Sequence, residues 1–177
     1  AHAAIIKIRK GLERLVERGK IAHEEAEALT GRIIPANDLE ALSTAALVVE
    51  AIVENLEVKK DLFAKLEDIV ADDAILATNT SSISVTSIAR DLRFPARVAG
   101  LHFFNPAPIM KLVEIVSSQM TSPAIAETLY DTAIGWGKIA VHARSTPGFI
   151  VNRVARPFYA EALRLYEEQV ADPTTLD

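Results

Sequence analysis

Residues 101–114 read LHFFNPAPIMKLVE, and the fold turns on how this stretch is taken. Just before it, Ala96 to Leu101 reads as a short apolar strand, so His102 stands where a buried strand ends. Pro106 and Pro108 exclude regular helix or central strand and force a fixed loop. A second apolar run, Lys111 to Val116, carries Glu114. His102 and Glu114 share no helix face, yet the stiff turn between them lets them meet. An imidazole titrates near neutrality, and a carboxylate on its far nitrogen fixes the tautomer and stabilises the imidazolium, which suits acid–base chemistry. The plainer alternative is a strand-end histidine bonded to a loop, with Glu114 solvated. Taken alone, the stretch favours that plainer reading.

Working outward, strands alternate with helices. Ala45 to Val53 is a near-continuous apolar run, as in a strand buried on both faces. Residues 61–70 read as a helix, 74–78 as a strand, 84–90 as a short helix and 96–102 as a strand. A helix at 123–135, a strand at 138–143 and a long helix at 148–169 follow. This alternation predicts a parallel sheet with helices on both faces, whose ligands collect at the carboxyl ends of strands. Glu54, Ser81 and His102 each lie just past a predicted strand. Before the sheet, Ile5, Ile8, Leu12, Leu15 and Val16 mark a helix ending at Gly19, and residues 23–29 mark a second.

Composition excludes several classes. The formal net charge of −5 argues against a nucleic-acid footprint. No apolar run approaches the roughly 18 residues of a membrane span. The absence of cysteine removes disulfides and thiolate metal sites and suits a reducing, cytoplasmic compartment. No cluster has metal-ligand spacing. His2, His23 and His142 have no motif around them and are expected to be exposed. A dinucleotide fold needs a glycine-rich turn between its first strand and helix. The only G-x-G, Gly135-Trp136-Gly137, follows a helix and precedes a strand, so it reads as a helix stop.

The stretch HFFNP-x-P-x-MKLVE resembles the L-3-hydroxyacyl-CoA dehydrogenase family. VVEAIVENLEVK (48–59), ATNTSS (77–82) and STPGFIVNR (145–153) resemble it in the same order. Residues 143–168 look most like bacterial members that act on 3-hydroxyadipyl-CoA or 3-hydroxybutyryl-CoA. The resemblance implies a Rossmann-like sheet over 1–146, incomplete at its N-terminus and carrying a helical hairpin over 3–30. It implies that 147–177 opens an all-helical C-terminal domain that forms a homodimer. A first β-α-β unit is expected before residue 1 and more helices beyond residue 177, so the sequence reads as part of a longer chain.

By the same resemblance the cofactor is NAD, the substrate an acyl-CoA, and the reaction oxidation of a 3-hydroxyacyl-CoA to a 3-ketoacyl-CoA. With a net negative chain, local donors must hold such polyanions. His102 is the expected base and Glu114 its orienting partner; Ser81 and Asn152 are the other polar groups beside the reacting atoms. Glu54, Lys59, Asn105 and Ser81 match cofactor contacts, and Arg18 or Lys20 matches a basic contact to CoA. Plainer roles stand beside these: a helix cap for Ser81, a helix amide satisfied by a loop for Asn152, N-capping for Glu54, and a solvated helix face for Arg18 and Lys20. The competing reading as a whole is a catalytically silent module that keeps the fold for assembly.

Overall fold

The structure is a computed structural model that describes residues 2–176, without the side chain of His2. It divides into two compact units, residues 1–43 and 44–177. The first unit is a pair of helices, α1 (His2–Glu17) and α2 (His23–Gly31), joined through Gly19 at φ 62°. Of the predicted apolar stripe on α1, Ile5, Leu12 and Val16 are half-buried, and Ala26 on α2 is buried.

The second unit is a five-stranded sheet in the order β1-β2-β3-β4-β5. Its elements are β1 (Leu47–Glu50), α3 (Leu56–Ile69), β2 (Ile75–Thr78), α4 (Val85–Ala89), β3 (Val98–Phe103), β4 (Leu112–Ser117), α5 (Pro123–Gly135), β5 (Ile139–Arg144), α6 (Val151–Glu167) and α7 (Pro173–Leu176). The Rossmann-like architecture that the resemblance implies is present, but the sheet is mixed, not the parallel one that the alternation predicts. β1, β2 and β3 run parallel, as do β4 and β5, whereas β3 and β4 are antiparallel. The reason is chain length: residues 104–111 are too few for a parallel crossover, which takes about a dozen residues or more.

Side-chain alternation assigns the two faces. Ile75, Ala77, Ala99, Leu101, Val113, Ile115 and Ala140 pack under Ala126, Leu129 and Ala133 of α5. Gly100 and Val116 lie on the opposite face, toward α4. A Cβ on Gly100 would stand 2.7 Å from Val116 Cβ and 3.2 Å from a Val85 methyl, so glycine is required for α4 to close on the sheet. The run 45–53 shortens to four strand residues at an edge of the sheet, and only Glu50 of them is buried. α5 spans the predicted range because Ser122 caps it, accepting from Ile125 N–H, and Pro123 opens it.

The Glu67 carboxylate, at the end of α3, is 5% exposed and organises the turn before β3. It accepts from Arg93 N–H at 2.8 Å and from Phe94 N–H at 2.9 Å. Burial opposes its charge, but those two amides and the Arg93 guanidinium outweigh burial and hold its pKa below the ordinary glutamate value. A carboxyl more acidic folded than unfolded stabilises the fold above the unfolded pKa of about 4.3, and that contribution disappears as pH falls through the lower folded value. Glu67→Gln should therefore cost about 2 kcal/mol in urea unfolding at neutral pH. The gap between variant and parent should narrow as both are taken below pH ~4. A gap that widens in acid would contradict this.

Candidate active site

The carboxyl ends of the three parallel strands deliver the site. Glu50 ends β1, Thr78 ends β2, and His102 is the penultimate residue of β3. Beside them opens a cavity of about 410 Å³, lined by His102, Ser81, Asn152, Glu54, Lys59 and Asn105 among others. The structure thus brings six of the predicted residues to one cavity, drawn from four separated segments.

Glu114 lies behind that wall. In the antiparallel ladder it is the direct cross-strand partner of His102, so both side chains emerge on the same face. The His102 Nδ1 to Glu114 Oε2 distance is 2.7 Å, with His102 5% exposed and Glu114 0%. Phe104 and Phe149 flank the imidazole, with ring centroids at 4.5 and 5.7 Å. With Nδ1 donating to the carboxylate, Nε2 carries the lone pair on a ring that packing and hydrogen bonding hold in place.

The second oxygen of Glu114 has an equally specific role. Oε1 accepts from Ile150 N–H and Val151 N–H, each at 2.9 Å, where α6 begins. Glycine at 148, with φ 76°, and Phe149, with φ 46°, turn the chain so that those amides face the carboxylate. A Cβ on Gly148 would approach Arg153 N to 3.0 Å, which explains the glycine. This left-handed turn is also why α6 starts at Val151 and not at 148.

Ser81 is half-buried, and its carbonyl accepts a long 3.4 Å bond from Asn152 Nδ2. The amide of Asn152 is therefore tied to the neighbouring loop, as the plainer reading of it held. Ser81 does not cap the following helix. That role falls to Ser84, which accepts from Ser87 N–H. N-capping of α3 likewise belongs to Asn55, accepting from Val58 N–H, and not to Glu54.

Glu54 instead accepts from the hydroxyls of Thr80 and Ser82 and stands 3.3 Å from Lys59 Nζ. Burial pushes its carboxyl up, but those hydroxyls and Lys59 outweigh burial and hold it below the ordinary glutamate value. Lys59 is 1% exposed, and its ammonium is 2.6 Å from Glu50 Oε1. Asn105 is exposed at the cavity mouth. Arg18 and Lys20 belong to the first unit and are exposed on either side of Gly19. His23 and His142 are exposed, as expected, with Glu27 and Glu127 at 3.4 and 3.6 Å. The side chain of His2 falls outside the described residues.

Sequence reasoning missed Glu50, Asn79 and Phe149. Asn79 Oδ1 accepts from Phe103 N–H at 2.8 Å, fixing the backbone next to His102. Glu50 had a signal: a single carboxylate inside an apolar strand needs a buried partner, and Lys59 supplies it. Phe149 had none, because its contact depends on the left-handed turn.

Fold and cavity together define a Rossmann-like α/β protein with an imidazole–carboxylate pair beside its ligand crevice. Residues 1–146 match the family profile "3-hydroxyacyl-CoA dehydrogenase, NAD binding domain", and residues 148–177 match that of the C-terminal domain of the same enzyme. The chain belongs to the 3-hydroxyacyl-CoA dehydrogenase family. It is 53% identical over 174 residues to a 3-hydroxyadipyl-CoA dehydrogenase of Escherichia coli, an alignment that covers 98% of this chain and 37% of that protein. It is 42% identical to the human mitochondrial hydroxyacyl-coenzyme A dehydrogenase, covering 98% of this chain and 58% of that one. The crystal structure of a 3-hydroxybutyryl-CoA dehydrogenase from Escherichia coli K12 superposes with a TM-score of 0.96 at 53% identity, over 97% of this chain and 36% of the other. The chain therefore spans only part of the length of these relatives.

Because Glu114 serves the imidazole with one oxygen and two helix amides with the other, Glu114→Gln should leave one of these without an acceptor. The expected loss is about 2–4 kcal/mol in denaturant unfolding. Altered amide shifts at Ile150 and Val151 should accompany it in NMR spectra. Parental stability together with unshifted amides would show that the carboxylate does not join these elements.

Proposed function

We propose that the protein carrying this chain catalyses the reversible oxidation of L-3-hydroxyacyl-CoA to 3-ketoacyl-CoA with NAD. The observation that carries this reading is the buried His102–Glu114 pair, with His102 lining a cavity at the strand ends. The cavity, about 410 Å³, falls within the range of small-molecule sites, about 300–1,000 Å³. Its polar groups fit a nucleotide: Glu54 can accept from ribose hydroxyls, Lys59 can donate to them, and the Asn105 amide can pair with a carboxamide. NAD, when bound, supplies the hydride acceptor.

In this reading His102 Nε2 takes the proton from the substrate hydroxyl, and Glu114 stabilises the imidazolium that results. In the reverse direction the imidazolium returns the proton. Ser81 and Asn152 hold the substrate oxygen, and Arg18 or Lys20 meets the CoA phosphates. Similarity to a 3-hydroxyadipyl- and a 3-hydroxybutyryl-CoA dehydrogenase supports a short-chain acyl group. His102→Gln should lower kcat by roughly 10²–10⁴-fold, the usual range for a positioned acid–base group. The assay is NADH formation from 3-hydroxybutyryl-CoA, and near-parental turnover would sink the assignment.

We also infer a homodimer built through residues 147–177, acting in the cytoplasm. On α6, Val154, Phe158 and Leu163 are 72%, 75% and 64% exposed, and no residue of the helix is buried. A symmetric pair buries the same patch twice. No helix among the described residues is long and apolar enough to cross a membrane, and the chain has no cysteine, which supports a reducing compartment. Phe158→Glu should shift the sedimentation of the protein from dimer toward monomer. An unchanged dimer would place the interface elsewhere.

A further inference from the structure

A second buried ion pair stands beside the cavity, and the acid–base chemistry leaves it without a role. Glu50 is 3% exposed and Lys59 1%. Two ions taken from water are tolerated only when the remaining donors and acceptors are also met. Glu50 meets this condition fully. Its Oε1 accepts from Lys59 Nζ and from Ile52 N–H, both at 2.6 Å, and its Oε2 accepts from the Thr78 hydroxyl at 2.7 Å. Its carbonyl also accepts from Asn79 N–H at 2.8 Å, which ties down the start of the turn that carries Ser81.

Lys59 is in a different position. An ammonium has three N–H donors. One is directed at Glu50 and a second at Glu54, 3.3 Å away, and no other described residue accepts from the nitrogen. Lys59 also lines the cavity. The pair is thus saturated on its buried side and unsaturated at the cavity wall, an asymmetry that a purely structural ion pair does not need.

We propose that Glu50 is a positioning residue for the bound cofactor, fixing the Lys59 ammonium so that its remaining N–H meets a ribose hydroxyl. The inference rests on the NAD reading above. Glu50 touches no ligand and acts through Lys59. Without its charge, an ammonium this deeply buried keeps only Glu54, 3.3 Å away, as an anionic partner and is held less firmly at the cavity wall. His102 and Glu114 lie on other strands and share no hydrogen bond with Glu50, so proton transfer is spared while cofactor binding weakens.

The test is a double-mutant cycle on NADH affinity, read by the fluorescence of bound NADH, with Glu50→Gln, Lys59→Met and the double variant. Glu50→Gln should weaken NADH binding about tenfold and raise the KM for NAD similarly, with kcat within about twofold. In the Lys59→Met background the same change should alter NADH affinity by less than about twofold. Thr78→Val, which removes only the hydroxyl on Glu50 Oε2, should weaken NADH in the same direction by a smaller factor, and serves where Glu50→Gln does not fold. Unchanged NADH affinity in the folded variants, or equal losses with and without Lys59, would overturn the inference while the functional reading stands. Failure of the unaltered protein to bind NADH would overturn both.

Discussion

Glu114 is a carboxylate sealed from water in the middle of a sheet, and the second unit is arranged around meeting its charge. Such a group is tolerable only when all its strong acceptor sites find donors. The donors come from two places distant in sequence, the imidazole of His102 and the first amides of α6. The first fixes strand register. A slip of one residue between β3 and β4 would turn His102 or Glu114 into the apolar layer under α5. The second fixes how the chain leaves β5, and helps the fold tolerate Phe149 at φ 46°, a conformation bulky residues rarely adopt.

The other buried glutamates follow the same pattern. Glu67 takes the amides of Arg93 and Phe94, and Glu50 takes that of Ile52. In each case a carboxylate rooted in regular structure satisfies backbone donors of a segment that has no ladder to join. The glutamates therefore immobilise loops, which a hydrophobic contact alone would leave with unmet amides. Glu54 departs from this pattern. Its partners are hydroxyls and an ammonium, and its side chain is 41% exposed, so part of the carboxylate remains open to a ligand.

Most of the element sequence was legible because apolar runs and caps are local signals: α5 is bounded by Ser122-Pro123 and by Gly135, as its residues imply. The pairing of His102 with Glu114 was legible as an encounter across a stiff loop, but the antiparallel register behind it was not. Strand polarity depends on connection length, which an alternation of helix and strand does not register. The edge position and short extent of β1 were hidden for a related reason. Ile52 and Val53 look like core residues but are 43% and 65% exposed beyond the strand, where Ile52 lines the cavity. Glu50 was passed over because a single charge in an apolar run announces a buried pair without naming its partner. Pro157 lies inside α6, so the helix runs through a residue that local rules would use to end it.

The site has two halves of different origin, and this constrains how it assembles. Glu50, Glu54, Lys59, Thr78 and Thr80 come from one contiguous stretch, β1-α3-β2 and the turn after it, and bind one another without help from the rest of the sheet. The His102–Glu114 half needs β3, β4 and the turn at 146–151 together, since Glu114 has its full set of donors only when α6 is in place. The two halves therefore draw their hydrogen bonds from separate parts of the chain. The start of α6 supplies two of the donors to Glu114 and carries Asn152 at the cavity wall. The start of α6 therefore bears on His102 by two routes, the Glu114 carboxylate and the Phe149 ring, while the Glu50–Lys59 pair is held by contacts of its own.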